Sequence, residues 1–208
     1  GLLRVCSAYG VFRILGVDFV LNFEKENPDT NLDYAEFPDE YVEKEVQEGN
    51  YEIGFAIGPV KVPELEVISL FSSPVSLLVY EGHPLAQKSS VKFSDLKEEA
   101  LILESRAFKI HSLVKRSCHE AGFEPNIIFC TSGFSLCHKL TAQKRGISVI
   151  VDRISDDMSS QHLKRIPIED SFSWEVKMIC KDRAKNDRHV RKWKMYTEKY
   201  MSQMRGEV

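Results

Sequence analysis

Residues 2–57 read LLRVCSAYGVFRILGVDFVLNFEKENPDTNLDYAEFPDEYVEKEVQEGNYEIGFAI. Leu2 to Ser7 is a short apolar run of strand length, and Tyr9-Gly10 breaks it. Phe12, Leu15, Phe19 and Phe23 then recur at spacings of three and four, widened by Ile14, Val17 and Leu21, which predicts one amphipathic helix with a broad apolar face. Asn27-Pro28-Asp29 stops it, because proline disfavours helix in the residue before it. Asn31 to Phe37 alternates as a strand. Pro38-Asp39 opens a second helix with Asp39 as its expected N-cap; it carries Tyr41, Val42 and Val46, and Gly49-Asn50 ends it. Ile53 to Ile57 is the third strand. Strand, helix, strand, helix, strand predicts a mostly parallel sheet with crossover helices.

The same rhythm returns further along. Val67 to Phe71 and Val75 to Tyr80 read as strands split by Ser-Ser-Pro, and Gly82-His83-Pro84 is a turn. A short helix starts near Ser94. Leu101 to Leu103 is a strand and Phe108 to Ala121 a helix closed by Gly122. Ile127 to Cys130, Phe134 to Lys144 and Ile147 to Val151 repeat strand, helix, strand. Leu163 to Ile168 and Trp174 to Cys180 are later strands. The last helix spans about Asp187 to Met204, with Val190, Trp193, Tyr196, Tyr200 and Met204 as its inward stripe. Two α/β halves predict two Rossmann-like subdomains. Residues 1–72 with 180–208 form the first and residues 73–179 the second.

With 208 residues, 43% hydrophobic and 28% charged, the composition is that of an ordinary globular chain and excludes fibrous, disulfide-stapled and disordered classes. The formal net charge of −3 argues against a general nucleic-acid-binding surface. The charge is uneven: residues 18–52 carry twelve acids against two bases, residues 181–205 nine bases against three acids. Such runs read first as solvated helical faces, and second as opposite ends that attract within a chain or between subunits. No run of about 18 apolar residues occurs and no signal peptide is evident. Five cysteines, Cys6, Cys118, Cys130, Cys137 and Cys180, without a CxxC pair, read as reduced, mostly buried thiols of a cytoplasmic protein. No metal site and no cofactor are expected. The chain begins on Gly1, which suggests a piece cut from a longer protein.

The informative polar residues sit where predicted strands end and helices begin. Ser7, Ala8, Tyr9 and Gly10 follow the first strand. Ser105 and Arg106 precede the Phe108 helix, Thr131 and Ser132 precede the Phe134 helix, and Val151 and Asp152 close the Ile147 strand. Helix starts present unpaired N–H groups. Their hydroxyls either cap the helices or bind a ligand oxygen, and Arg106 suits a carboxylate. Ligands of open α/β sheets bind at such carboxyl ends. Catalytic signatures are absent: there is no Walker loop, GxGxxG, GxSxG or HExxH. Cys130 beside Thr131, with His138 a turn or two along, is the nearest approach to a nucleophile and base, and a buried core thiol explains Cys130 better.

These segments resemble the effector-binding domain of LysR-type transcriptional regulators over nearly the whole chain. LRVCSAYG (3–10) resembles the first strand and ligand loop, and FVLNFEKENPDTNLDYAE (19–36) the helix ending F-x-x-x-x-P-x-x-x-L. VQEGNYEIGFAIG (46–58) is similar to the L-x-x-G-x-x-D-x-A-I segment. VSLLVYEGHPLA (75–86), VKFSDLKEEALIL (91–103), CHEAGFEPNIIFCTS (118–132) and AQKRGISVIV (142–151) follow in family order. The resemblance implies a type 2 periplasmic-binding-protein-like fold with two crossovers and a cleft holding a small polar or anionic effector. The effector residues it implies are Ser7, Ala8, Tyr9, Gly10, Ser105, Arg106, Thr131, Ser132, Val151 and Asp152. It also implies a homodimer, a tetramer at full length, and DNA binding only through an N-terminal winged helix-turn-helix outside this chain. A transporter solute-binding protein shares the fold and is the alternative. Three positions depart from the family. Gly54 stands where an acid is usual, Asp152-Arg153 replaces the usual proline, and Lys144-Arg145-Gly146 forms the late turn. Asp152 favours a cationic or hydroxylated ligand and Arg106 an anion.

Overall fold

A computed structural model describes residues 1–159 and 161–206. Strand β1 (Leu2–Ala8) leads into two short helices, α1 (Val11–Leu15) and α2 (Val17–Glu26), and then β2 (Asn31–Phe37), α3 (Asp39–Gln47), β3 (Ile53–Ile57) and β4 (Leu65–Ser73). The chain continues through β5 (Val75–Tyr80), β6 (Ala100–Glu104), α4 (Lys109–Glu120), β7 (Asn126–Thr131), α5 (Phe134–Ala142), β8 (Ile147–Val151), α6 (Asp152–Ser155) and β9 (Leu163–Pro167). Strand β10 (Trp174–Lys181) and α7 (Arg188–Met204) complete it.

Two units result, Gly1–Ser72 with the chain from Glu175 onward, and Ser73–Trp174. Each holds one five-stranded sheet, ordered β2-β1-β3-β10-β4 in unit 1 and β7-β6-β8-β5-β9 in unit 2. In unit 1, β1 runs parallel to β2 and β3, while β10 pairs antiparallel with β3. In unit 2, β6 runs parallel to β7 and β8, while β5 is antiparallel to β8 and β9. The return to unit 1 comes at Glu175, ahead of the expected 179/180 junction. The reason is that β10 already pairs with β3 from Val176, and a strand belongs to the sheet that satisfies its backbone.

The single helix predicted over residues 12–23 is broken at Gly16, whose φ of 88° and ψ of 157° only glycine adopts without strain. Asp39 is not a cap. Pro38 occupies the N-cap position and Asp39 is the buried first residue of α3. Gly54 has a packing reason: a Cβ there would lie 2.8 Å from Val46 and 3.0 Å from Val42, so α3 seats on β3 only against a bare backbone.

Unit 1 is centred on Phe19, Phe23, Phe55 and Trp193, all fully buried. Phe23 and Trp193 meet edge to face at 4.7 Å, and Phe19 and Trp193 at 5.4 Å, geometries the ring quadrupoles favour. The stripe of α7 is shifted from the predicted one: Val190, Trp193, Thr197 and Met201 are buried and Met204 is exposed. Tyr196 and Tyr200 flank that stripe and donate hydroxyl protons to the carbonyls of Phe19 (2.6 Å) and Leu15 (2.8 Å). Leu15 ends α1, so Tyr200 satisfies a terminal carbonyl. The acidic block and basic helix do meet within the chain at Asp29, which pairs with Lys192 at 2.6 Å and Arg188 at 3.0 Å.

Candidate functional site

Strand order locates the sites these sheets can offer. In unit 1, β1 is followed by β2 on one side and β3 on the other. In unit 2, β6 is followed by β7 on one side and β8 on the other. The chain reverses direction across the sheet beside β1 and beside β6, and crevices open at the carboxyl ends of such strands. Ser7–Gly10 stands at the end of β1 and Ser105–Arg106 at the end of β6.

At the end of β1, Ser7 is fully buried and its hydroxyl donates to the Ala8 carbonyl at 2.9 Å. Ala8 is buried. Gly10 is left-handed, with φ of 94°, and starts α1. The exposed side chain here is Tyr9, whose N–H donates to the Phe37 carbonyl at 3.3 Å.

At the end of β6, the backbone N–H of Ser105 donates to the Thr131 carbonyl at 2.9 Å, tying the β6 and β7 exits together. This brings the Ser105 and Ser132 hydroxyls within 3.4 Å of each other on an exposed surface. Thr131 Oγ1 accepts from the Gly133 N–H at 3.1 Å. Neither α4 nor α5 has a side-chain N-cap, since Phe108 and Gly133 hold those positions. The serine hydroxyls are therefore not capping groups.

Arg106 lines an open groove along α4 with His111, Ser112, Lys115, Arg116, His119 and Glu120. At the end of β8, Val151 is buried. The Asp152 N–H donates to the Pro74 carbonyl at 3.0 Å, and the Asp152 carbonyl accepts from Arg165 at 2.8 Å. One carboxylate oxygen of Asp152, Oδ1, is buried with no hydrogen-bond partner among the described residues. Burial pushes its pKa up, against the pull of the Ser76 hydroxyl and Arg165.

The sequence did not single out Ser73 and Ser76. Ser73 Oγ accepts from the Arg153 N–H at 3.0 Å, and Ser76 lies beside Asp152. The Ser-Ser-Pro stretch that reads as a simple break was the available signal. Cys130 is exposed rather than buried, because β7 is an edge strand with most of its length in solvent. Behind the strand ends, Glu104, Cys137, His138 and Ser155 line a recess of about 10 Å³, room for one water at most.

The family model "LysR substrate binding domain" matches residues 1–201. The Bacillus subtilis regulator YwbI, described as an uncharacterized HTH-type transcriptional regulator, is 24% identical over 91% of this chain, and the chain spans 62% of that protein. The regulatory domain of CcmR from Synechocystis PCC6803, solved in complex with 2-PG, superposes with a TM-score of 0.88 at 15% identity, covering 98% of this chain and 99% of that one. The BenM effector-binding domain with its effector benzoate gives 0.82 at 16% identity, covering 100% and 94%. Those likenesses carry the fold: two α/β subdomains of the type 2 periplasmic-binding-protein kind, joined by two crossovers. The family match carries the membership, and the chain belongs to the LysR substrate-binding-domain family.

Proposed function

We propose that this chain is the effector-sensing module of a bacterial LysR-type transcriptional regulator. In this reading it binds a small polar or anionic molecule at its strand ends, in the cytoplasm. It passes the binding energy to a winged helix-turn-helix carried by another part of the full-length protein. The chain alone would neither catalyse a reaction nor hold DNA, and it would associate as a homodimer, with tetramers at full length.

The observation that supports this best is the exposed Ser105–Ser132 hydroxyl pair, 3.4 Å apart, where β6 and β7 are tied together. Two hydroxyls freed from capping duty, beside a strand end where the sheet reverses, are groups a ligand oxygen can use. Tyr9 supplies a third exposed polar side chain at the corresponding end of β1. The ligand-bound relatives agree with a small effector. A ligand that binds one conformational state better than another shifts the balance between the states, with coupling typically about 1–3 kcal/mol.

Thermal-shift screening with small carboxylates, hydroxy acids and amino acids tests the assignment. A true effector raises the melting temperature of the wild type, and Ser105→Ala with Ser132→Ala diminishes that rise. Stabilisation by an effector that persists unchanged in the double variant would remove these strand ends from the site.

A further inference from the structure

We propose that unit 1 carries a second ligand site, a recess for a phosphate- or sulfate-sized oxyanion lined by Arg4, Tyr51, Lys181 and Arg183. It lies at the opposite end of β1 from the effector loop. Arg4 and Tyr9 are five positions apart, roughly 16 Å at strand rise.

Three cations line this recess of about 110 Å³, with one carboxylate, Glu52. Glu52 is fully engaged by Arg4. Its Oε1 accepts from Arg4 Nε at 3.0 Å and its Oε2 from the Arg4 backbone N–H at 2.7 Å. Asp33, paired with Arg4 in the strand register, adds negative charge nearby but does not line the recess. Asp182 faces Lys185 at 3.7 Å. The side chains of Lys181 and Arg183 have no hydrogen-bond or ion-pair partner among the described residues.

The two guanidinium groups converge on one glycine. Arg4 Nη2 donates to the Gly49 carbonyl at 3.3 Å, and Arg183 Nη2 lies 2.7 Å from where a Cβ on Gly49 would stand. Glu52 already answers the charge of Arg4, so the positive charge left in the recess is that of Arg183 and Lys181, and a negative group there would be attracted. A tetrahedral oxyanion is such a group. It takes forked donors from Arg183, a point charge from Lys181 and the Tyr51 hydroxyl proton. The volume holds one such group, so an organic remainder would project into solvent.

Calorimetric titration of the wild-type chain with inorganic phosphate, sulfate and methyl phosphate, at ionic strength fixed with sodium chloride, tests the site. Saturable binding of phosphate or sulfate is expected. Lys181→Gln with Arg183→Gln is expected to weaken it by about tenfold or more, while Arg116→Gln on the exposed face of α4 leaves it unchanged. Binding of methyl phosphate as tight as phosphate marks a phosphorylated metabolite as the ligand, and its rejection marks the free ion. Circular dichroism confirms that the variants fold, and Arg183→Gln alone serves where the double variant does not. Absence of saturable binding would overturn the proposal. So would equal affinity in the Arg183 variants, or an equal loss in Arg116→Gln.

Discussion

Two carboxylates in this chain respond to their surroundings in opposite directions, and pH separates them. Glu66 Oε1 accepts from Lys194 Nζ at 2.9 Å, and that hydrogen bond holds its carboxyl below the usual range. A depressed folded pKa contributes stability that is present above the unfolded glutamate value of about 4.3 and is lost as pH falls through the lower folded value. Glu66→Gln should therefore melt below the wild type at pH 7 and converge with it in acid. Asp152 is the reverse case, since burial raises its pKa and leaves Oδ1 without a partner. Its ionised form costs stability above the folded pKa, and that cost vanishes below the unfolded aspartate value of about 3.9. Asp152→Asn should melt above the wild type at pH 7, the gain fading on acidification. Melting curves across pH 3 to 7 check both signs. At this scale the sequence was a partial guide. Asp152 stood out because it replaces a proline, but its burial comes from the turn onto β5, which sequence spacing does not reveal. Cys130 was misread because an apolar run does not distinguish an edge strand from a central one.

Helix α7 carries both a fault and two supports in adjacent turns. Thr197 is fully buried and its hydroxyl has no hydrogen-bond partner among the described residues. Thr197→Val keeps the shape and removes the stranded hydroxyl, and a stabilisation of about 1 kcal/mol is expected. Tyr200→Phe strips the donor from the Leu15 carbonyl and should cost about 0.5–1.5 kcal/mol. Urea unfolding of the two variants gives both values, and opposite signs are the decisive result. The reason α7 was only half legible is geometric. Its aromatic residues mark an inward side at helical spacing, but the stripe rotates by one position so that Tyr196 and Tyr200 can reach carbonyls of α1 and α2. The split between those two helices was invisible to periodicity, because Gly16 interrupts the backbone without disturbing the spacing of Phe12, Leu15, Phe19 and Phe23. The apolar runs of β1 and β3 read correctly because a strand buried in a sheet needs little beyond side-chain character, while β2, an edge strand with no buried residue, was legible from its alternation.

At the scale of the whole molecule, two apolar surfaces stand exposed among the described residues, one on a sheet edge and one on a helix. Strand β7 ends the unit 2 sheet with Ile128 48% and Phe129 44% exposed. On unit 1, Val17 and Leu21 of α2 are 74% and 53% exposed. An apolar edge strand with free backbone groups invites another chain, and monomeric proteins usually blunt such edges with charge or proline. Charge adds direction. The acidic block includes α2 and β2, whereas α4, next to β7 in sequence, carries Lys109, Lys115 and Arg116. Exposed ion pairs are individually weak, so the apolar contact would supply most of the affinity and the charges the choice of partner. The homodimer proposed above would bury these two surfaces. Light scattering at micromolar concentration should then report twice the 23.8 kDa chain mass. Ile128→Lys with Phe129→Glu should give the single chain mass, with circular dichroism and the phosphate response of unit 1 unchanged. A wild type that stays monomeric at high micromolar concentration would remove the dimer. A double variant that remains dimeric would move the interface away from β7 while leaving the effector assignment intact, because the Ser105–Ser132 pair lies at the carboxyl end of that sheet rather than along its edge.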